Sequence, residues 1–466
     1  MELSEKMNKL YDKDGMEKVM RPIDYATDAV GQVALNSITV LSGQMTYFYT
    51  NKVGMAAATV GTVLLVAKIV DAVTDLIMGK LVDKTNTKRG KARPWLLRML
   101  IPTMAAIILL FTVPANAGSF RYVYALLTNI FASAICYTAV AVPYYTMIAY
   151  KTRSSEEKGN IGRFRSAVGY AVGVGLGIGL IPITTALGDD QRAWVILAAV
   201  LSILSGIGLL ITYKFSQERY VESDGSQEKE SHISIVEGIK ILVKNKYWVK
   251  ITVFGVCMNI MYAIIMAAPI YYALFVAGDQ AFYSTINTVN LIPSILGFLT
   301  VGFFIKRFGL TKTAKIASII GIVGSLVRVA FPGSIPVTLI AGSVVMYATI
   351  PLISVLPALV LNTSEINFKN VGVRMTGMTN ASNSFVGKIG SGLGGALVGW
   401  VLAWGGIDAV NKGGAMTNKL LSAVYITNIY IPLIMFIIML IIIWKYDLEE
   451  KLPALIKENA EKEAQE

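Results

Sequence analysis

The run VAKIVDAVTDLIMG, residues 66–79, lies in an apolar stretch long enough to cross a hydrocarbon core, yet it carries Lys68, Asp71 and Asp75. An ionisable side chain at that depth costs on the order of 3 kcal/mol or more unless it is paired or faces a wet cavity. The i, i+3, i+7 spacing puts all three on one face of a helix. Two carboxylates and one ammonium leave that face net negative, which suits a proton or a small hard cation held through oxygen. The other reading, an inert ion pair, leaves one carboxylate unneutralised. A basic loop follows at once, with Lys84, Lys88, Arg89, Lys91 and Arg93.

Similar apolar blocks recur along the whole chain. Of 466 residues, 54% are hydrophobic and 15% charged, and the mean hydropathy is +0.58. Blocks near 28–50, 53–79, 96–115, 120–148, 163–187 and 193–214 are followed by others near 247–277, 281–305, 313–332, 336–362, 373–404 and 420–444. The fold class predicted is therefore all-α integral membrane, with about twelve transmembrane helices in two six-helix halves. The division is a polar leader over 1–24, a first bundle over 25–214, a linker over 215–246, a second bundle over 247–444 and a charged tail over 445–466. In the linker, Ser234-x-x-Glu237 is a capping box, and Ile235, Ile239, Leu242 and Val243 share a face, so a short amphipathic surface helix is expected. Gly79-x-x-x-Asp83-Lys84 is echoed by Gly302-x-x-x-Lys306-Arg307, a sign of internal repetition.

The formal charge of +12 is concentrated in alternate short loops, among them Lys151, Arg153 and Lys158, then Lys306, Arg307 and Lys312. That bias predicts cytoplasmic termini, a multi-pass protein of the plasma membrane and contact with anionic lipid, not with nucleic acid. The leading twenty residues are polar and mixed in charge, unlike a cleavable signal. One histidine, His232, and two cysteines inside apolar blocks, Cys136 and Cys257, argue against metal and redox chemistry. No nucleophile–base pair or phosphate loop is present, so no enzyme and no cofactor are expected beyond a coupling ion. Gly390-Ser-Gly392-Leu-Gly394-Gly395 matches a dinucleotide fingerprint only by accident, since no strand precedes it.

Two further polar sets interrupt the apolar blocks. Tyr137, Thr138, Tyr144, Tyr145 and Arg165 surround Pro143; rings paired with fixed donors suit a ligand with one flat apolar face, such as a sugar, and interfacial anchoring is the alternative. Lys388 lies within NSFVGKIGSGLGGALVG, whose glycines permit close helix contact, as do Gly169, Gly173 and Gly177. Its depth places it on a cavity, whereas Arg328, nearer a helix end, is expected to snorkel.

The phrases YFYTNKVG (47–54), VGTVLLVAKIVDAVTDLIMGKLVDKTNTKRGKARPWLL (60–97), VPYY (142–145), FR (164–165) and VGKIGSGLGGAL (386–397) occur in order. In this the chain resembles the glycoside–pentoside–hexuronide:cation symporters, the melibiose permease group of the major facilitator superfamily. The resemblance implies alternating-access symport of a small glycoside or hexuronide with sodium or a proton. It implies a cation site at Asp71, Asp75 and Thr138, with Lys68 as charge partner, and sugar contacts at Tyr137, Tyr145, Arg165 and Lys388, with Asn36 and Ser384 as further candidates. Gly79, Asp83, Lys84, Arg89 and Arg93 correspond to the loop that latches the two halves during gating.

The chain departs from that pattern in places that bear on substrate. Ala141 stands where the family has an acid or amide, the sugar-binding acid of the first helix falls at Leu35 or Asn36, and LNTSEINFKNVGVR keeps Glu365 and Arg374 without the surrounding acids. Losing acids while keeping Arg165 and Lys388 favours a carboxylate-bearing substrate, unless Asp28 restores a negative charge. Export of an amphipathic compound, or a non-transporting membrane sensor, are the competing functions.

Overall fold

The computed structural model describes residues 11, 16–220, 235–371 and 376–463, and among these the chain is helical with no strand. His232, Arg374 and the capping residue Ser234 lie outside the described residues. Eight helices are long and apolar enough to cross a membrane. One of them, Phe282–Ala330, is two spans joined at Gly309, where φ is 81°. Three further expected spans miss that criterion because they are charged or broken: Ala57–Lys84 carries the Lys68–Asp75 face, Arg93–Arg98 meets Leu100–Leu109 at Met99, and the first span is interrupted near Gly31. Each predicted span thus has a helical counterpart. Cys136 and Cys257 are buried and free.

The chain divides into two compact units, Met1–Phe48 with Val66–Gln227, and Tyr49–Leu65 with Glu228–Glu466. In the first, Leu35, Val82, Leu96, Ala141, Tyr144 and Leu209 form an apolar core. Tyr144 fits against Gly31, where a Cβ atom would lie 2.9 Å from its ring, and donates its hydroxyl to the Asp28 carbonyl at 2.8 Å. The basic loop is fastened within this unit. Glu218, just past the end of Gln191–Phe215, accepts the backbone N–H groups of Lys91 (2.7 Å), Ala92 (3.0 Å) and Arg93. Arg89 donates to the Tyr213 hydroxyl at 3.0 Å, and Arg93 to the Tyr213 carbonyl at 2.7 Å. These amides open a helix and have no intrahelical acceptor, so a carboxylate there satisfies them and meets the positive end of the helix dipole.

The second unit repeats the device. Gly309, like Gly90, has a positive φ, and Glu449, just past Ile431–Trp444, accepts from Leu310 and Thr311, both at 2.6 Å. Tyr247, Phe254, Met258, Leu352, Phe436 and Met439 supply its core. Residues 49–65 are held by Asp408, which accepts from the Ala57 N–H at 3.0 Å, and by Asn411, which donates to the Thr50 carbonyl at 3.1 Å. Of the amphipathic linker helix, Ile235–Lys244, Leu242 is buried while Ile239 and Val243 are exposed.

Two expectations are corrected here. Arg328 does not snorkel: it is 9% exposed, and its Nη1 donates to the Asn428 carbonyl at 3.0 Å. Gly321, Gly324, Ser325 and Arg328 share the inward face of their helix, and the small residues let neighbouring helices close over the guanidinium. Gly169 does make a close helix contact, but Gly173 has nothing within 4 Å. Other glycines do make tight helix contacts, among them Gly390 and Gly394 on Thr376–Gly405 where it crosses Lys246–Ala267. A Cβ on Gly394 would lie 2.6 Å from the Ile260 carbonyl oxygen and 2.8 Å from the Ala263 Cβ, whereas one on Gly395 meets nothing within 4 Å. Gly394→Ala is therefore expected to destabilise the protein by about 1–3 kcal/mol through overpacking, and Gly395→Ala to be neutral or better. Thermal unfolding of the two variants in detergent checks the contrast; equal midpoints would remove this helix crossing as a determinant of stability.

Candidate functional site

The Ala57–Lys84 helix presents Lys68, Asp71 and Asp75 on one face, and a second helix brings Thr138 to it. The Lys68 ammonium lies 3.2 Å from Asp71 Oδ2, and Thr138 Oγ1 lies 3.1 Å from Asp71 Oδ1 and 2.8 Å from Asp75 Oδ1. Asp71 is 1% exposed, while Lys68 and Asp75 are half-buried. Thr138 follows directly on the π-helical segment Ile130–Tyr137, whose wider turns shift the register of the helix before that hydroxyl; such turns recur at functional sites. Asp71 Oδ1, Asp75 Oδ1 and Thr138 Oγ1 thus lie close together, and two carboxylates with the Lys68 ammonium sum to a formal charge of −1. Among the described residues no group of three or more His, Cys, Asp or Glu is placed to hold a metal.

The second polar set is centred on Asp28, the residue named above as the one that could restore a negative charge, and it does so. Asp28 is 1% exposed and accepts from Arg165 Nε at 2.6 Å, from Arg165 Nη2 at 3.0 Å and from Lys151 Nζ. Lys151, read above as a loop charge, is buried and also donates to Ser216 Oγ at 2.6 Å. The Arg165 guanidinium carbon lies 3.6 Å from the centre of the Tyr144 ring. Its Nη1 is buried and has no hydrogen-bond partner among the described residues. Arg165 is thus spoken for by Asp28, and the charge argument for a carboxylate substrate retains Lys388 alone.

The register of the first helix is also clear. Leu35 and Ala141, the positions without acids, are packed in the apolar core. Asn36 donates to Gln32 Oε1 at 2.9 Å and lies against Gly169, and Gln32 donates to the Tyr145 hydroxyl at 3.4 Å. Tyr145 is 48% exposed, and Tyr137 is partly buried beside the core. Asp28, Gln32 and Asn36 fall at i, i+4 and i+8, a polar stripe in an apolar helix, and that spacing was the available signal for Gln32 and Asp28. In the second unit Lys388 is half-buried and Ser384 exposed, four residues apart on one helix. Gly79 and Lys84 lie at the end of the Ala57–Lys84 helix, and Arg89 and Arg93 are tied into the fastened loop that follows it.

A family described as MFS/sugar transport protein matches residues 28–450. The isoprimeverose transporter of Lactiplantibacillus pentosus is 28% identical over 441 residues, which cover 92% of this chain and 89% of that protein. The glucuronide carrier protein homolog of Escherichia coli (strain K12) is 26% identical over 412 residues, 87% of each chain. Among solved structures, a mutant of the nucleoside transporter NupG shares the fold, with a TM-score of 0.66 at 14% identity over 91% of this chain and 98% of that one.

Replacing Asp28 by Asn leaves Lys151 and Arg165 buried without a counter-charge, a loss of about 3–5 kcal/mol. Adding Lys151→Met is expected to recover part of that loss. A double-mutant cycle on thermal unfolding reads the coupling, and additive effects would dissolve the cluster.

Proposed function

Because the chain belongs to the MFS/sugar transport protein family, we propose that it carries a small glycoside across the plasma membrane together with a cation held at Asp71, Asp75 and Thr138. Membership makes it a transporter of the major facilitator fold and not an enzyme. The observation that carries the cation site is the Thr138 hydroxyl within reach of both carboxylates. Before binding, that hydroxyl donates to one carboxylate; when sodium arrives it turns a lone pair toward the ion, and a proton is taken by a carboxylate directly. Either event neutralises the site, which removes the cost of moving net charge through an apolar environment and ties ion occupancy to the change of access. Lys68 pairs with Asp71 Oδ2 at 3.2 Å.

Substrate contacts are assigned, as the resemblance implies, to Tyr137, Tyr145, Asn36, Arg165, Lys388 and Ser384. With Arg165 bound to Asp28, a substrate meets hydroxyls and amides, a set that reads sugar hydroxyls. A neutral glycoside therefore fits better than a hexuronide. Basic residues on alternate loops support cytoplasmic termini, and the loop of Gly79, Asp83, Lys84, Arg89 and Arg93 is assigned to gating.

In membrane vesicles, Asp71→Asn is expected to abolish cation stimulation of uptake, a loss of roughly 5–150-fold if coupling is of ordinary size, with the protein still folded. Unchanged stimulation in that variant sinks the cation site. Competition by neutral alkyl glycosides should exceed competition by free glucuronate, and the reverse order would restore the hexuronide.

A further inference from the structure

We propose that the buried cavity beside Arg328 is a binding site for a monovalent anion of halide size. The cavity lies within the second unit, has a volume of about 50 Å³ and is lined by Arg328, Tyr272, Asn290, Thr338 and Asn428 together with apolar side chains. Arg328 is 9% exposed. One of its nitrogens, Nη1, is satisfied by the Asn428 carbonyl, whereas Nε is buried with no hydrogen-bond partner among the described residues.

Among the described residues no carboxylate forms an ion pair with Arg328. The contrast with Arg165, which has Asp28, is chemical: both guanidiniums are buried in spanning helices, and one lacks a counter-charge. An uncompensated buried charge of this kind costs several kcal/mol.

The neighbouring polar groups are neutral and largely occupied with one another. The Tyr272 hydroxyl donates to the Pro332 carbonyl at 2.9 Å and accepts from Thr338 at 2.8 Å. The Asn428 amide donates to the carbonyls of Ala268 at 3.2 Å and Val424 at 3.0 Å. What remains at the cavity wall is an N–H donor on a cation. A water molecule fills space there but neutralises nothing. The volume holds one small ion with a water or two, and it is far below the roughly 300 Å³ at which organic ligand sites begin. Chloride meets both the charge and the size, and a carboxylate-bearing sugar meets only the first.

The test uses the purified full chain in detergent, with sodium constant and the anion changed from gluconate to chloride or bromide at equal ionic strength. The wild type is expected to show a saturable rise of roughly 2 °C in unfolding midpoint with halide, and Arg328→Gln to show none. A wild-type midpoint that ignores halide, or an equal rise in both proteins, overturns the site. Should Arg328→Gln fail to fold, crystals of the wild type soaked in bromide decide: an anomalous peak within hydrogen-bonding distance of the Arg328 guanidinium supports the proposal, and its absence there refutes it.

Discussion

A bundle of apolar helices must neutralise every charge it buries, and Asp28 meets that requirement for three elements at once. Its carboxylate receives Arg165 from Ser155–Ala186 and Lys151 from the end of Thr138–Lys151. Its own carbonyl receives Tyr144, and Thr212 from the Gln191–Phe215 helix donates to the same oxygen at 3.3 Å. The break near Gly31 and the close approach of the Tyr144 ring follow from that convergence. The consequence reaches function. Arg165, held by Asp28 and stacked on Tyr144, is committed to the structure of its unit.

The same requirement is met differently at the face that carries Lys68, Asp71 and Asp75. There the charges are left one short of neutrality, and a hydroxyl bridges the two carboxylates. Under the proposed function, a bound cation supplies the missing positive charge. The two clusters, one closed and one open, lie in the same unit. They separate structural charge from charge that can do work.

Internal repetition shows more plainly in capping than in sequence. Glu218 and Glu449 each return from the end of a half to bind the amides that open a helix beside a positive-φ glycine, Gly90 or Gly309. The echo between Gly79 and Gly302 points to the same relationship, yet it gives no hint of either glutamate. A capping carboxylate more than a hundred residues away leaves no local pattern, because its partners are backbone groups common to every residue.

Hydropathy and spacing alone determined the helical class, the spans and the shared face of Lys68, Asp71 and Asp75, since these depend on local periodicity and on the energetics of a single helix in an apolar medium. Tertiary structure decided which charges are spent and which are free. It drew Lys151 out of a supposed loop into the Asp28 cluster, turned Arg328 inward, and placed Leu35 and Ala141 in the core while Asn36 and Gln32 formed the polar stripe. Each of these outcomes depends on a partner far away in the chain. The identity of a side chain states its charge, and only the packing of helices states what neutralises it.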